Sequence, residues 1–279
     1  MGVEVSASAV AADGIQIADQ SAGCDTAGMD PRDRKMEAIA LAQRFVAARH
    51  PQATAALLAG SQANGNATAS SDFDIVLLFG SLTQGAWREM TAFEGRHIEV
   101  FAHDASTLAY FCRQIDTPSG IPALPTMIVE GLIVSGAEHD PLVMDARRLA
   151  AEVLDAGPPS LDQIALEMRR FAISELANSL APGRPASEVT AAGAALYTSL
   201  GDFALRAAGR WSASGKALPE ALAAMEPTLS RDFKTAFQLL FEAHETEPVQ
   251  SLVDRVLQPY GGRLRSGFRL SAPAEWRER

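Results

Sequence analysis

Only two cysteines occur among the 279 residues, Cys24 and Cys112, far apart and without metal or redox spacing. That excludes a disulfide scaffold and a thiolate metal centre, and reads as reduced thiols in a cytosolic protein. Basic charge is also short: 24 Lys and Arg stand against 34 Asp and Glu, a net charge of −10. A broad nucleic-acid footprint needs a basic face, so nucleic acid is a poor partner, with Arg263, Arg265 and Arg269 a local exception. A small cationic partner suits the balance better. No apolar run approaches the roughly 20 residues that span a bilayer. The segment through Asp30 has neither a basic n-region nor a continuous apolar h-region, and Met1-Gly2 lacks the second anchor a myristoyl signal needs. The expectation is a cytoplasmic protein with no membrane partner, in which the sequon Asn66-Ala67-Thr68 is chance.

What is present is a large apolar fraction, 47% of residues, enough for a sizeable core in a chain long enough for two domains. The first 30 residues, rich in Gly, Ala, Ser and Asp, read as a tail, and Asp30-Pro31 just after Met29 supplies an N-cap and a first helical residue. Met36, Ile39, Leu41, Phe45 and Val46 recur at helical spacing over Asp33–His50, until Pro51. Ala53–Ala59 reads as a buried strand, Phe73–Phe79 as a second, and Gly95–His103 alternates as a third. A helix over Asp104–Ile115, a loop through DTPSGIPALP, and a strand through TMIVEGLIVSG with a kink at Gly131 complete this half. Beyond Asp140 the pattern is helical over Pro141–Asp155, Leu161–Leu180, Ser187–Ala208, Leu218–Met225 and Ser230–His244, with breaks rich in Gly, Pro and caps. The class is therefore α+β: a small mixed sheet with helices over residues 31–139, then an all-α bundle over 140–258 and a basic, irregular tail over 259–279.

The chemistry concentrates in GSQANGNATASSDFDIVLLFG, residues 60–80. Side chains alternate along a strand, so Asp72 and Asp74 share one face while Phe73 and Ile75 take the other. Two close carboxylates repel and call for a cation. Mg²⁺ characteristically takes one or two carboxylates together with phosphate oxygens. Glu99, between Ile98 and Val100 on the next strand, reaches the same point if the strands pair. Gly60-Ser61 opens a turn whose backbone can approach a phosphate. An Asp-x-Asp by itself is equally a solvated strand end or a cap; the ordered set of apolar strand, Gly-Ser, Ser71-Asp72-Phe73-Asp74, apolar strand and Ile98-Glu99-Val100 carries the reading.

That set resembles the signature of the DNA polymerase β-like nucleotidyltransferase superfamily over roughly residues 53–103. The resemblance implies a phosphate-binding turn at Gly60 and Ser61, with Ser71 in the place of the serine that precedes the first Asp. It implies metal ligands at Asp72, Asp74 and Glu99, two Mg²⁺ ions, and transfer of a nucleoside monophosphate with loss of pyrophosphate. The spacer NGNATAS departs from many relatives in holding no basic residue. The layout also looks like stand-alone bacterial members with a helical C-terminal domain, among them aminoglycoside adenylyltransferases. This implies AMP transfer from ATP to a hydroxyl of a small, polar or cationic acceptor held between the halves.

In the helical half, Glu175, followed by Leu176-Ala177, resembles the general base of the kanamycin-modifying type, and Glu167 lies two turns before it; both are equally exposed helix carboxylates. Lys216 follows GRWSASGK, a segment that can fold over the site and neutralise phosphates, or is a surface lysine. Trp211 either stacks on a base or caps the bundle core. His97 and His103 flank the Glu99 strand. Two other functions compete: a protein-modifying adenylyltransferase of toxin–antitoxin type, which a full helical domain disfavours, and a non-catalytic nucleotide sensor, which three intact carboxylates disfavour.

Overall fold

The structure is a computed structural model that describes residues 30–68 and 70–272. The expected N-terminal tail with Cys24 and Met1-Gly2, and the last seven residues, lie outside the described residues.

Helix α1 (Pro31–Arg49) begins where Asp30 accepts a hydrogen bond from the Arg32 amide at 2.8 Å. Ala38, Leu41, Ala42, Phe45 and Val46 are its buried stripe, at the three- and four-residue spacing of one helical face. Met36, counted into that stripe by its apolar character, is 65% exposed, because its position two residues before Ala38 places it on the far side of the helix.

Five strands form one mixed sheet in the order β3-β4-β2-β1-β5. They are β1 (Ala55–Ala59), β2 (Phe73–Leu78), β3 (Trp87–Phe93), β4 (Arg96–His103) and β5 (Leu132–Ser135). Only β2 and β4 run parallel among adjacent pairs; the others are antiparallel. A five-residue helix, α2 (Gly60–Asn64), joins β1 toward β2. The sequence pattern assigned no element to β3. It is an edge strand with an exposed central run, paired to β4 through a turn in which Glu94 and Gly95 both have positive φ.

The segment expected as one kinked strand, 126–136, divides instead into helix and strand. After α3 (Ala105–Tyr110), a π-helical turn (Phe111–Asp116) and a short turn α4 (Thr117–Ser119) comes α5 (Ala123–Glu130), which ends at Gly131 before β5. A continuous apolar run does not distinguish a buried helix from a buried strand. Gly131 marks the boundary because a Cβ there would lie 2.5 Å from Met127 O and 3.0 Å from Leu57 Cβ.

Helices α6 (Pro141–Ala156), α7 (Gln163–Asn178), α8 (Ala186–Ala207), α9 (Leu218–Met225), α10 (Pro227–Ala243) and α11 (Glu247–Leu257) follow, the last unanticipated. The buried residues form three cores. One lies between α1 and the sheet; the second joins the opposite sheet face to α3, α5 and α6; the third fills the bundle of α7 to α11. Val143, Ala146, Ala150 and Val153 of α6 belong to the sheet-side core.

The C-terminal segment, read as a solvated end, is fastened to α7 over its described part. Buried Arg170 donates to Gly261 O and Gly262 O, Ser174 Oγ accepts from Leu264 N, and Phe268 stacks on Phe171 at 4.2 Å. Among the described residues no helix is long and apolar enough to cross a membrane.

Candidate functional site

The parallel pairing of β2 with β4 sets Asp74 directly opposite Glu99, and the antiparallel pairing of β1 sets Ala59 beside Asp74. Paired residues point to the same side of a sheet, so the two carboxylates stand together. They occupy the end of the face covered farther along by α5 and α6, where β1 gives way to α2. Asp72, one residue before the strand, is exposed, yet its charge acts on Asp74.

Asp74 is pressed from several sides. Burial pushes its carboxyl above the usual range, and the negative charges of Glu99 and Asp72 push it further; Lys216 and Arg88 draw it back. Gly60 lies immediately beneath, with φ +61° and an ideal Cβ that would fall 2.1 Å from Asp74 Oδ2. A glycine here does two things: it adopts a left-handed backbone at no steric cost, and it leaves room for the carboxylate. The sequence had assigned Gly60 to phosphate approach alone. Ser61 continues α2, whose first residue has no side-chain cap, so its leading amides are not taken by a side chain.

Ser71 holds the loop before β2. Its Oγ accepts from Thr68 N at 2.9 Å, and its carbonyl accepts from Gln62 Nε2 at 3.2 Å, tying the loop to α2. Asp72 is thus delivered from a braced turn.

Glu99 accepts a hydrogen bond from Arg88 of β3, which also lies over the Phe101 ring at 5.1 Å. Arg88 is the site residue the sequence reading missed. The signal was available in Trp87–Phe93, a stretch with Trp87, Thr91 and Phe93 before a Glu-Gly turn, but its exposed centre hid the pattern. The Arg88 side chain is 68% exposed, so it can leave Glu99 without disturbing a buried core.

Lys216, from a 3₁₀ turn (Gly215–Ala217) between α8 and α9, comes close enough for its charge to favour ionised Asp74. Glu175 is not brought into this group. It lies on α7, where Arg265 Nε donates to it at 2.5 Å, and α7 packs on α8 and α11. Glu167 accepts from Gln163 on the same helix. His97 shares Glu99's side of β4 and is exposed. His103 is buried, with no partner for Nδ1, and burial lowers its imidazole to about 4.

No family model matches the chain, and no curated protein matches it. Among solved structures it is similar to a nucleotidyltransferase-like protein from Exiguobacterium sibiricum, at 9% identity over 79% of this chain and 74% of that one, with a TM-score of 0.38. So loose a superposition decides nothing about chemistry.

Among the described residues no three His, Cys, Asp or Glu side chains are gathered closely enough to hold a metal ion by themselves. Glu99 is drawn toward Arg88, and Asp72 stands off in solvent. The donor chemistry nevertheless fits Mg²⁺, which is held by one or two carboxylates and completes its shell with water and substrate phosphates rather than a protein cage. Adjacent carboxylates, one of them pushed upward by the other, are a pair that a hard cation relieves.

Proposed function

We propose that the chain is a Mg²⁺-dependent nucleotidyltransferase that moves AMP from ATP onto a hydroxyl of a small, polar or cationic acceptor, releasing pyrophosphate. The observation that carries this reading is the register of Asp74 against Glu99 over Gly60. A strand pair that presents two carboxylates beside a side-chain-free turn, with a lysine facing them, suits a metal-bound triphosphate better than it suits a solvated sheet end.

Asp74 and Glu99, with Asp72 from the braced loop, would hold Mg²⁺. When bound, the ions supply charge neutralisation for the triphosphate and lower the cost of forming the nucleophile. The chain's own residues divide the remaining work. The amides leading α2, at Gly60 and Ser61, face the anionic end of the nucleotide. Lys216 offsets the charge that accumulates on the departing pyrophosphate. The acceptor oxygen bonds to the α-phosphorus, the bond from that phosphorus to the bridging oxygen breaks, and the hydroxyl proton leaves to a base. The acidic balance of the chain favours a cationic acceptor, aminoglycosides among them.

Calorimetric titration of ATP, GTP and CTP, with and without Mg²⁺, tests the reading on wild type and on the Asp72→Asn/Asp74→Asn variant. Binding of ATP that requires Mg²⁺ and is lost in the variant supports it. A folded wild type that binds no nucleotide in a metal-dependent way overturns it.

A further inference from the structure

Lys216 belongs to the other half of the chain, yet its charge acts on Asp74, and its segment is pinned on both sides. Upstream, Trp211 Nε1 donates to Leu154 O at 3.0 Å near the end of α6, and its ring packs in the sheet-side core. Ser212 N donates to Gly120 O at 2.8 Å, in the turn before α5. Downstream, Leu218 is buried in the bundle core against Gly201, where an added Cβ would lie 2.9 Å from it. Lys216 lies in the span between these anchors. Its side chain is exposed, and among the described residues no hydrogen bond or ion pair holds its ammonium.

The turn that receives Ser212 is itself braced. Gly120 has φ +77°, and a Cβ there would fall 1.3 Å from Arg206 Nη1. Arg206 is buried and donates from Nη2 to Pro159 O at 2.8 Å, in the linker between α6 and α7. A buried guanidinium therefore supports both the Gly120 turn and the crossing between the two halves. Such bracing is costly: among the described residues Arg206 Nε and Nη1 and Ser212 Oγ have no partner. A connecting loop with no role in positioning would not need it.

We propose that Trp211 and Ser212 are positioning residues for the nucleotide site: they fasten the segment after α8 so that Lys216 stands over Asp74 and meets the phosphates of a nucleoside triphosphate. This rests on the nucleotidyltransferase reading above. A lysine ammonium is a compact charge on a flexible stem, so its value to a phosphate depends on where its backbone is held. Supporting groups that fix a first contact raise affinity by removing the cost of ordering it.

The test is a double-mutant cycle on Mg²⁺–ATP binding by the full chain, read by calorimetry. Lys216→Ala is expected to weaken binding about tenfold or more, the scale of a lost charged contact. Trp211→Phe keeps a ring in the core and removes the indole donor. It is expected to weaken binding about fivefold when Lys216 is present and less than twofold in the Lys216→Ala background, because coupled residues are not additive. Ser212→Pro, which removes the other donor, repeats the cycle independently, and thermal melts identify any variant that does not fold. Effects of Trp211→Phe and Lys216→Ala that simply multiply, or a folded Trp211→Phe with wild-type affinity, overturn the positioning role while leaving the nucleotide reading intact. A wild type that binds no Mg²⁺–ATP overturns both.

Discussion

The two faces of the sheet draw on alternate residues of the same strands and are built to different rules. Toward α1, β2 and β4 present Phe73, Ile75, Leu77, Ile98, Val100 and Ala102, all buried in an unbroken apolar core. Toward α5 and α6 the intervening residues include Asp74, Glu99 and His103. Each large apolar side chain on the first face is worth about 1.5–3 kcal/mol by burial. On the second face Asp74 is held against ionisation, and His103 has a ring nitrogen without a partner. The first face is apolar throughout these strands, whereas the second joins an apolar core at Val76 and Leu78 to groups that cost stability, which is where chemistry is expected to sit. The arrangement is economical because the alternation of a single strand sorts the two roles.

The sharpest way to break this comparison is to substitute neighbours. Asp74→Asn is expected to lower adenylyl transfer on the order of a thousandfold, several kcal/mol of lost transition-state stabilisation. It is also expected to raise Tm at neutral pH. The Asp74 carboxyl is pushed up in the folded state, so its contribution to stability is full only below the ordinary Asp range and is lost as pH rises through the raised value. Asparagine removes that loss, and the gain in Tm disappears in acid. Thermal melts across pH read the outcome; a lower Tm at neutral pH would make Asp74 a structural residue. One position along and on the other face, Ile75→Ala should cost about 2–5 kcal/mol in urea unfolding. The folded fraction should keep its affinity for Mg²⁺–ATP, since Ile75 touches the α1 core only.

His103 sharpens the contrast within the second face. Its imidazole falls from 6.5 to about 4 on burial. The unfolded chain therefore gains a proton that the folded protein refuses, and stability is lost as pH falls through this interval, by about 3 kcal/mol. His103→Leu should flatten that part of the pH–stability curve measured by denaturant titration. The smallest effect on stability belongs to Glu175→Gln, because the Arg265 pair is exposed on both sides and is worth at most about 1 kcal/mol. Because Glu175 stands outside the carboxylate group, kcat and ATP affinity should both stay at wild-type levels, and a fall in kcat at constant affinity would make Glu175 the base. A proportionate loss of affinity would place Glu175 in nucleotide binding instead.

Much of this was legible in the residues. The Asp30 cap, the limits of α9, the buried strand through Phe73–Leu78 and the alternation across Arg96–His103 are local properties, and the structure shows each of them. What was hidden depended on neighbours. β3 is exposed through its middle and exists because β4 offers it an edge, and with β3 went Arg88. The run before Gly131 is mostly apolar and shows no clear period, so its packing against β1 and α6 made it a helix. α11 follows a short turn that blurred its amphipathic stripe into α10, and the tail's Arg265 and Arg263 found partners on α7 and α11 that no local pattern announces.

By itself the sequence determined that Asp72 and Asp74 share a face at the mouth of a buried strand, because side-chain alternation is a property of one strand. Only the tertiary structure decided that Glu99 stands opposite Asp74, that Arg88 reaches Glu99, and that the charge of Lys216, from the helical half, acts on Asp74. Those placements come from strand register and from how layers pack, and both are set by contacts between residues far apart in the chain.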